Sequence, residues 1–66
     1  MVDKKRESLE AAREMIERFG EQALLQIRQR IDELEALGEH EAASFWRDVQ
    51  ANVTLILGGG STRTLH

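Results

Sequence analysis

The sequence predicts an all-α protein, a bundle of three short helices in an up-down-up arrangement. Apolar residues recur at spacings of three and four along most of the chain, which is the period of an amphipathic helix. Glycines follow where two of these patterns end. The composition, 41% apolar and 32% charged with Leu, Ala, Glu and Arg dominant, suits solvent-facing helices better than disorder. The bundle is built around a helical hairpin, residues 23–57, joined at Leu37-Gly38-Glu39.

The first helix is predicted over residues 4–19, with Asp3 as its N-cap. Gly20 follows at the position where a left-handed glycine would end it. The alternative is a helix that continues through Gly20, because one interior glycine costs only about 1 kcal/mol relative to alanine. We favour three helices because Leu25 lies opposite the apolar face of helix two, as suits a middle helix with two neighbours. The apolar face of helix one is formed by Leu9, Ala12, Met15, Ile16 and Phe19.

Helices two and three are predicted over residues 22–37 and 40–57, and Gly38 ends the first of them. Helix two presents an apolar row of Leu24, Ile27, Ile31 and Leu34. The corresponding row of helix three is Ala42, Phe45, Val49, Val53 and Ile56, widened by Trp46 and Leu57. Residues 58–66, which begin with three glycines, are predicted to form a flexible tail. Residues 1–57 are therefore expected to form one helical domain.

The size of the chain favours self-association. Sixty-six residues form one domain, and a domain of this size buries only about 60% of its unfolded surface. Without cysteine, neither disulfides nor thiolate metal sites can stabilise it, so we expect a homodimer. No apolar run approaches the roughly 20 residues that span a bilayer, and no apolar segment follows the basic start. We predict a soluble, cytoplasmic protein without a signal peptide.

No catalytic, metal or cofactor site is predicted. The glycines before Ser61 lack the lysine, the strand and the helix of a phosphate-binding loop. His40 and His66 are not accompanied by converging ligands at metal-site spacing. Neither Ser8 nor Ser44 has a histidine at a spacing that would identify a base. The expectation is a protein that is not an enzyme and needs no cofactor.

Three residues are candidates for an interface with another protein. Trp46 falls at the edge of its apolar row, where it either covers the core or anchors a contact, as tryptophan often does at interfaces. Leu55 falls on the polar face of helix three, and Leu25 lies off the row of helix two. We therefore predict a small protein–protein interaction module, acting as an adaptor, a regulator or an accessory subunit.

The alternative function is a DNA-binding regulator or an antitoxin-like component, because two short helices around a glycine turn are typical of a helix-turn-helix. The net charge of −3 argues against nucleic acid, since phosphate backbones are bound by basic surfaces. The helix that would read DNA carries Glu39, Glu41 and Asp48 against a single Arg47.

Between Ala12 and Leu57 the chain resembles small bacterial helical proteins of unknown function. The residues that carry the resemblance are Met15-Ile16-Glu17-Arg18-Phe19-Gly20 with Ala23, Arg30-Ile31-Asp32-Glu33-Leu34, Leu37-Gly38-Glu39, Ala42 and Trp46. The resemblance implies a helical fold and a bacterial origin, and it supplies no activity or site residue.

Overall fold

The computed structural model describes residues 3–63, and it describes side chains as far as Gly58. This part of the chain is all-helical, as predicted, and contains no strand. The helical residues form two uninterrupted runs. The first run contains α1 (Lys4–Phe19), a 3-10 turn (Gly20–Gln22) and α2 (Ala23–Ala36), and the second run is α3 (His40–Arg63).

The prediction of three separate helices in an up-down-up bundle was wrong. Gly20 has a positive φ of 57°, and its N–H donates to the Ile16 carbonyl, as expected of a glycine that ends a helix. The chain then closes a 3-10 turn through the Ala23 N–H and the Gly20 carbonyl, so no non-helical linker separates α1 from α2. The two segments pack mainly against α3 and contact each other little.

Local signals predicted the start of α1 and the end of α2 correctly. The Asp3 carboxylate accepts from the backbone N–H groups of Lys5 and Arg6, which α1 itself leaves unpaired. At the end of α2, Gly38 adopts a φ of 77°. Its N–H donates to the Glu35 carbonyl at 3.0 Å, and the next N–H donates to the Leu34 carbonyl at 2.8 Å. This pair of bonds is a Schellman motif.

Helix α3 continues to Arg63, whereas we predicted that it ends at Leu57 and that a tail of residues 58–66 follows. Glycine lowers helix propensity by about 1 kcal/mol per residue but keeps the N–H that extends a helix, and only proline removes it. The chain contains no proline, so the hydrogen-bonding pattern already established along α3 can pass through Gly58. Residues 64–66 of the predicted tail lie outside the described part.

The core lies where α1 and α2 meet α3, and small side chains dominate it. The buried apolar residues are Ala12, Ala23, Ile27, Ile31, Ala43, Val49 and Val53. Ala23 and Ala43 had not been predicted on the apolar rows, whereas the other five had: Ala12, Ile27, Ile31, Val49 and Val53. Several larger members of the predicted rows remain exposed: Leu9, Phe19, Ile56 and Leu57. Close helix packing is thus achieved mainly with alanine and β-branched residues.

A polar contact joins α1 to the second half of α3. The Ser8 side chain is buried, and its hydroxyl donates to the Lys5 carbonyl at 3.0 Å. The same oxygen accepts from the Asn52 side-chain amide at 3.1 Å. Ser8 therefore satisfies its own hydrogen-bonding capacity and fixes where α1 crosses α3.

The backbone at Gly20 should tolerate only glycine. Gly20→Ala should lower the free energy of unfolding by about 1–3 kcal/mol, because an L-residue is strained at this positive φ. An added Cβ would meet no atom within 4 Å, so the loss reports backbone strain alone. Gly58→Ala is the matched control: in a helix it should raise the free energy of unfolding by about 0.5–1 kcal/mol. Urea denaturation measures both, and no gain at Gly58 would indicate that α3 ends before this residue.

The contact between Ser8 and Asn52 should be measurable as an energetic coupling. Ser8→Ala should lower the free energy of unfolding by about 1 kcal/mol, because the Asn52 amide loses its acceptor in a half-buried position. In a double-mutant cycle with Asn52→Ala, we expect a coupling of at least about 0.5 kcal/mol. Strictly additive effects would contradict the contact.

Candidate functional site

An open cleft of about 390 Å³ lies between α1 and α2, with one residue of α3 on its wall. Its apolar lining consists of Ala11, Met15, Phe19 and Trp46. Its polar lining consists of Glu14, Arg18, Gln26, Gln29, Arg30 and Glu33. The cleft exists because α1 and α2 each pack on α3 and hardly touch each other. Six of the ten lining residues are polar, so the cleft is less apolar than the pockets that usually bind small molecules.

Trp46 belongs both to the margin of the core and to the wall of the cleft. Its ring meets Phe45 edge to face, with centroids 5.8 Å apart and an angle of 87° between the planes. The guanidinium carbon of Arg30 lies 5.7 Å from the ring centroid, which is a cation–π distance. These contacts hold the half-buried indole in a fixed position. The two predicted roles of Trp46, core and interface, are therefore compatible.

The charges around the cleft are balanced. Glu14 and Arg18 form an ion pair of 2.9 Å one turn apart on α1. Arg30 covers Trp46, and Glu33 lies on the same side of α2. Two carboxylates and two guanidinium groups leave no net charge on the lining, so nothing in it selects a strongly charged ligand.

Leu25 and Leu55 do not share the cleft. Leu25 is 49% exposed on the side of α2 opposite its buried residues, and Leu55 is 69% exposed on the corresponding side of α3. Leu37, in the turn between α2 and α3, is 75% exposed and was not among the predicted interface residues. The three predicted residues thus mark three different surfaces of the molecule.

A second polar cluster joins α2 to α3 at their connecting turn. The Glu35 carboxylate lies 2.9 Å from His40 Nδ1 through one oxygen and accepts from Arg47 through the other. The Arg47 hydrogen bond, followed by the His40 hydrogen bond, lowers the pKa of Glu35 below its usual value. His40 itself is largely exposed near the start of α3. In the described residues, no three acidic, histidine or cysteine side chains converge as a metal site would require.

The Ser8 hydroxyl donates to the main-chain carbonyl of Lys5 and accepts from the Asn52 side-chain amide. Sequence reasoning missed three long-range pairs: Ser8 with Asn52, Arg30 with Trp46, and Glu35 with Arg47. Each pair joins residues on different helices, and no spacing pattern in the sequence predicts such a contact.

Comparisons with known proteins add no family or relative: no family model, no curated protein and no solved structure matches the chain. The resemblance to small bacterial helical proteins therefore stays a prediction. Among the described helices, none combines the length and the apolar character that crossing a bilayer requires.

The Glu35 cluster should make part of the stability depend on acid pH. A carboxyl whose pKa is lower in the folded state binds fewer protons there, so its stabilising contribution is complete above the unfolded pKa of about 4.3. It should decrease as the pH falls through the lowered folded pKa. The difference in unfolding free energy between the wild type and Glu35→Gln, measured by denaturation from neutral to strongly acid pH, should disappear over this range.

Arg47→Met serves as the control for this dependence, because it removes the largest cause of the lowered pKa. The pH-dependent difference should shrink in that background. A difference between wild type and Glu35→Gln that stays constant at all pH values would show that Glu35 does not titrate as a paired group.

Proposed function

We propose that this chain is a small helical protein–protein interaction module that acts as an adaptor, a regulator or an accessory subunit in the cytoplasm. We further propose that it associates with itself as a homodimer. Leu25, Trp46 and Leu55 are the residues proposed to make contacts. The cleft beside Trp46 gives a partner side chain a place to insert.

The observation that carries this proposal is the kind of side chain that stays outside the core. Several large apolar side chains that the structure describes are exposed: Leu9, Phe19, Leu25, Leu37, Leu55, Ile56 and Leu57. Alanine, isoleucine and valine are the fully buried apolar residues, and larger side chains are only partly buried against them: Met15, Leu24, Leu34, Phe45 and Trp46. Burying a large apolar side chain contributes about 1.5–3 kcal/mol, so the single chain leaves much of its hydrophobic stabilisation unused. Contact with a second protein surface would bury the exposed apolar side chains and add this stabilisation.

No such observation favours an enzyme or a DNA-binding protein. The polar clusters at Ser8 and Glu35 are closed sets of hydrogen bonds between helices. The start of α3, the segment that would approach DNA, exposes Glu39 and Glu41. Carboxylates there would repel a phosphate backbone.

Self-association should appear as a reversible monomer–dimer equilibrium in sedimentation equilibrium over a range of concentrations. Because a partner that binds only the folded state stabilises it, the midpoint of thermal unfolding should rise with protein concentration. The two measurements are independent and should agree. A strict monomer at high micromolar concentration, with cooperative unfolding at a concentration-independent midpoint, would overturn the homodimer.

A further inference from the structure

The bend between α1 and α2 depends on the backbone of one residue. Gly20 has a φ of 57° and a ψ of −125°, whereas an α-helix has values of about −63° and −42°. Phe19, Gln22 and Ala23 beside it all keep dihedral angles of the right-handed helical region. Among the described residues from the start of α1 to the end of α2, Gly20 alone has a positive φ. A change of conformation at Gly20 would therefore join α1 and α2 into one straight helix.

The sequence suits the straight conformation as well as the bent one. Glycine adopts positive and negative φ about equally well, and inside a helix it costs about 1 kcal/mol relative to alanine. The next residues, Glu21 and Gln22, are good helix formers. The Gly20 N–H donates to the Ile16 carbonyl, which is also its partner in a continuous helix, so straightening keeps this hydrogen bond.

A straight helix would separate α1 from the α3 of its own chain. The turn at Gly38 keeps α2 beside α3, whereas α1 would extend beyond α2 in a helix about 50 Å long. The buried Ser8 and Ala12 would then face water, and Asn52 would lose its contact with Ser8. The α3 of a second copy offers an equivalent surface, because it carries the same Asn52 and the same apolar residues.

Exchange of α1 between two copies would keep the core and add a contact. An exchanged α1 meets the same residues of α3 as before, so the contact between Ser8 and Asn52 is retained. The two straightened turns connect the same two bodies and therefore run close together. Phe19 and Leu25, which lie within three residues of the turn, are 38% and 49% exposed in the single chain. Contact between the two turns would bury these apolar groups. Short hinges are the segments at which such exchange occurs.

We propose that the homodimer forms by exchange of α1, so that the α1 of each copy occupies the α1 site on the α3 of the other. This inference rests on the proposed homodimer and assigns how it forms. The cleft beside Trp46 then takes Ala11, Met15 and Phe19 from one copy and the rest of its lining from the other. In the dimer, neither copy completes the cleft alone.

Nuclear Overhauser effects (NOEs) between the two copies test the exchange in the native chain. Isotope-labelled and unlabelled chains are unfolded and refolded together, at a concentration where sedimentation equilibrium shows the dimer. An isotope-filtered experiment should detect NOEs between the Asn52 amide of one copy and the Ser8 side chain of the other. The contact between Glu35 and Arg47 is the matched control, because it lies within the pair of α2 and α3 that exchange at Gly20 leaves intact. Its NOEs should occur only within one chain.

Gly20→Ala tests the hinge, with Gly58→Ala as the matched control. Alanine is strained at the positive φ of the bent conformation and favoured in the straight helix. In sedimentation equilibrium, Gly20→Ala should therefore lower the dissociation constant of the dimer by about tenfold or more. Gly58→Ala, which lies in α3 away from the hinge, should stay within about threefold of the wild type.

The results separate the exchange from the homodimer itself. NOEs between copies at Ser8 and Asn52, but not at Glu35 and Arg47, support the proposal. A dimer in which both pairs give NOEs only within one chain overturns the exchange while the homodimer stands. NOEs between copies at both pairs, or a Gly20→Ala dimer no tighter than the wild type, overturn Gly20 as the hinge. A wild type that stays monomeric at high micromolar concentration overturns the proposed homodimer.

Discussion

The structure depends on the packing of α1 and α2 against α3, which provides the surface that both other segments share. In a closed three-helix bundle each helix contacts the other two, and the shared interior can hold large side chains. Here α1 and α2 contact each other little, so the core consists of two helix–helix interfaces, that of α1 with α3 and that of α2 with α3. Alanines at Ala12, Ala23 and Ala43 fit such close approach, because small residues let helix axes come together. The open cleft beside Trp46 is the other consequence of this arrangement.

Polar contacts fix the register of the two pairs at opposite ends of α3. Asn52 holds Ser8 of α1 in the second half of the helix, and Arg47 holds Glu35 of α2 in the first half. The first contact is partly shielded from water and the second is exposed, so they differ in energetic weight. Both are specific in geometry, which packing among alanines and valines alone would not provide. Each helix pair thus combines a small apolar contact with polar contacts that set its alignment.

Predictions from the sequence were correct for features formed by neighbouring residues, and they missed the contacts between residues on different helices. The Asp3 cap and the Schellman turn at Gly38 are formed by residues at most five positions apart from each other. Residue types at fixed spacings in the sequence therefore predict both features. Gly20 gave the same signal as Gly38, but the chain resumed a helical path after it, because a 3-10 turn lets α2 continue. The contact between Ser8 and Asn52 joins residues 44 positions apart, and no periodicity encodes it. Trp46, named from the sequence, lines the cleft, whereas Leu25 and Leu55 lie elsewhere, and the cleft itself depends on how the helices cross.

Folding and association are linked in a chain with this distribution of side chains. Native domains are stable by only about 5–15 kcal/mol, a small difference between large opposing terms. A core of seven residues, three of them alanine, gives a small favourable term for a chain that must order 66 residues. The larger apolar groups lie outside that core, at Leu55, Ile56 and Leu57 among others. Any surface that covers them adds about 25 cal/mol for each Å² of apolar area removed from water. Because this gain exists only in the folded state, a partner would stabilise the fold at the same time as it binds.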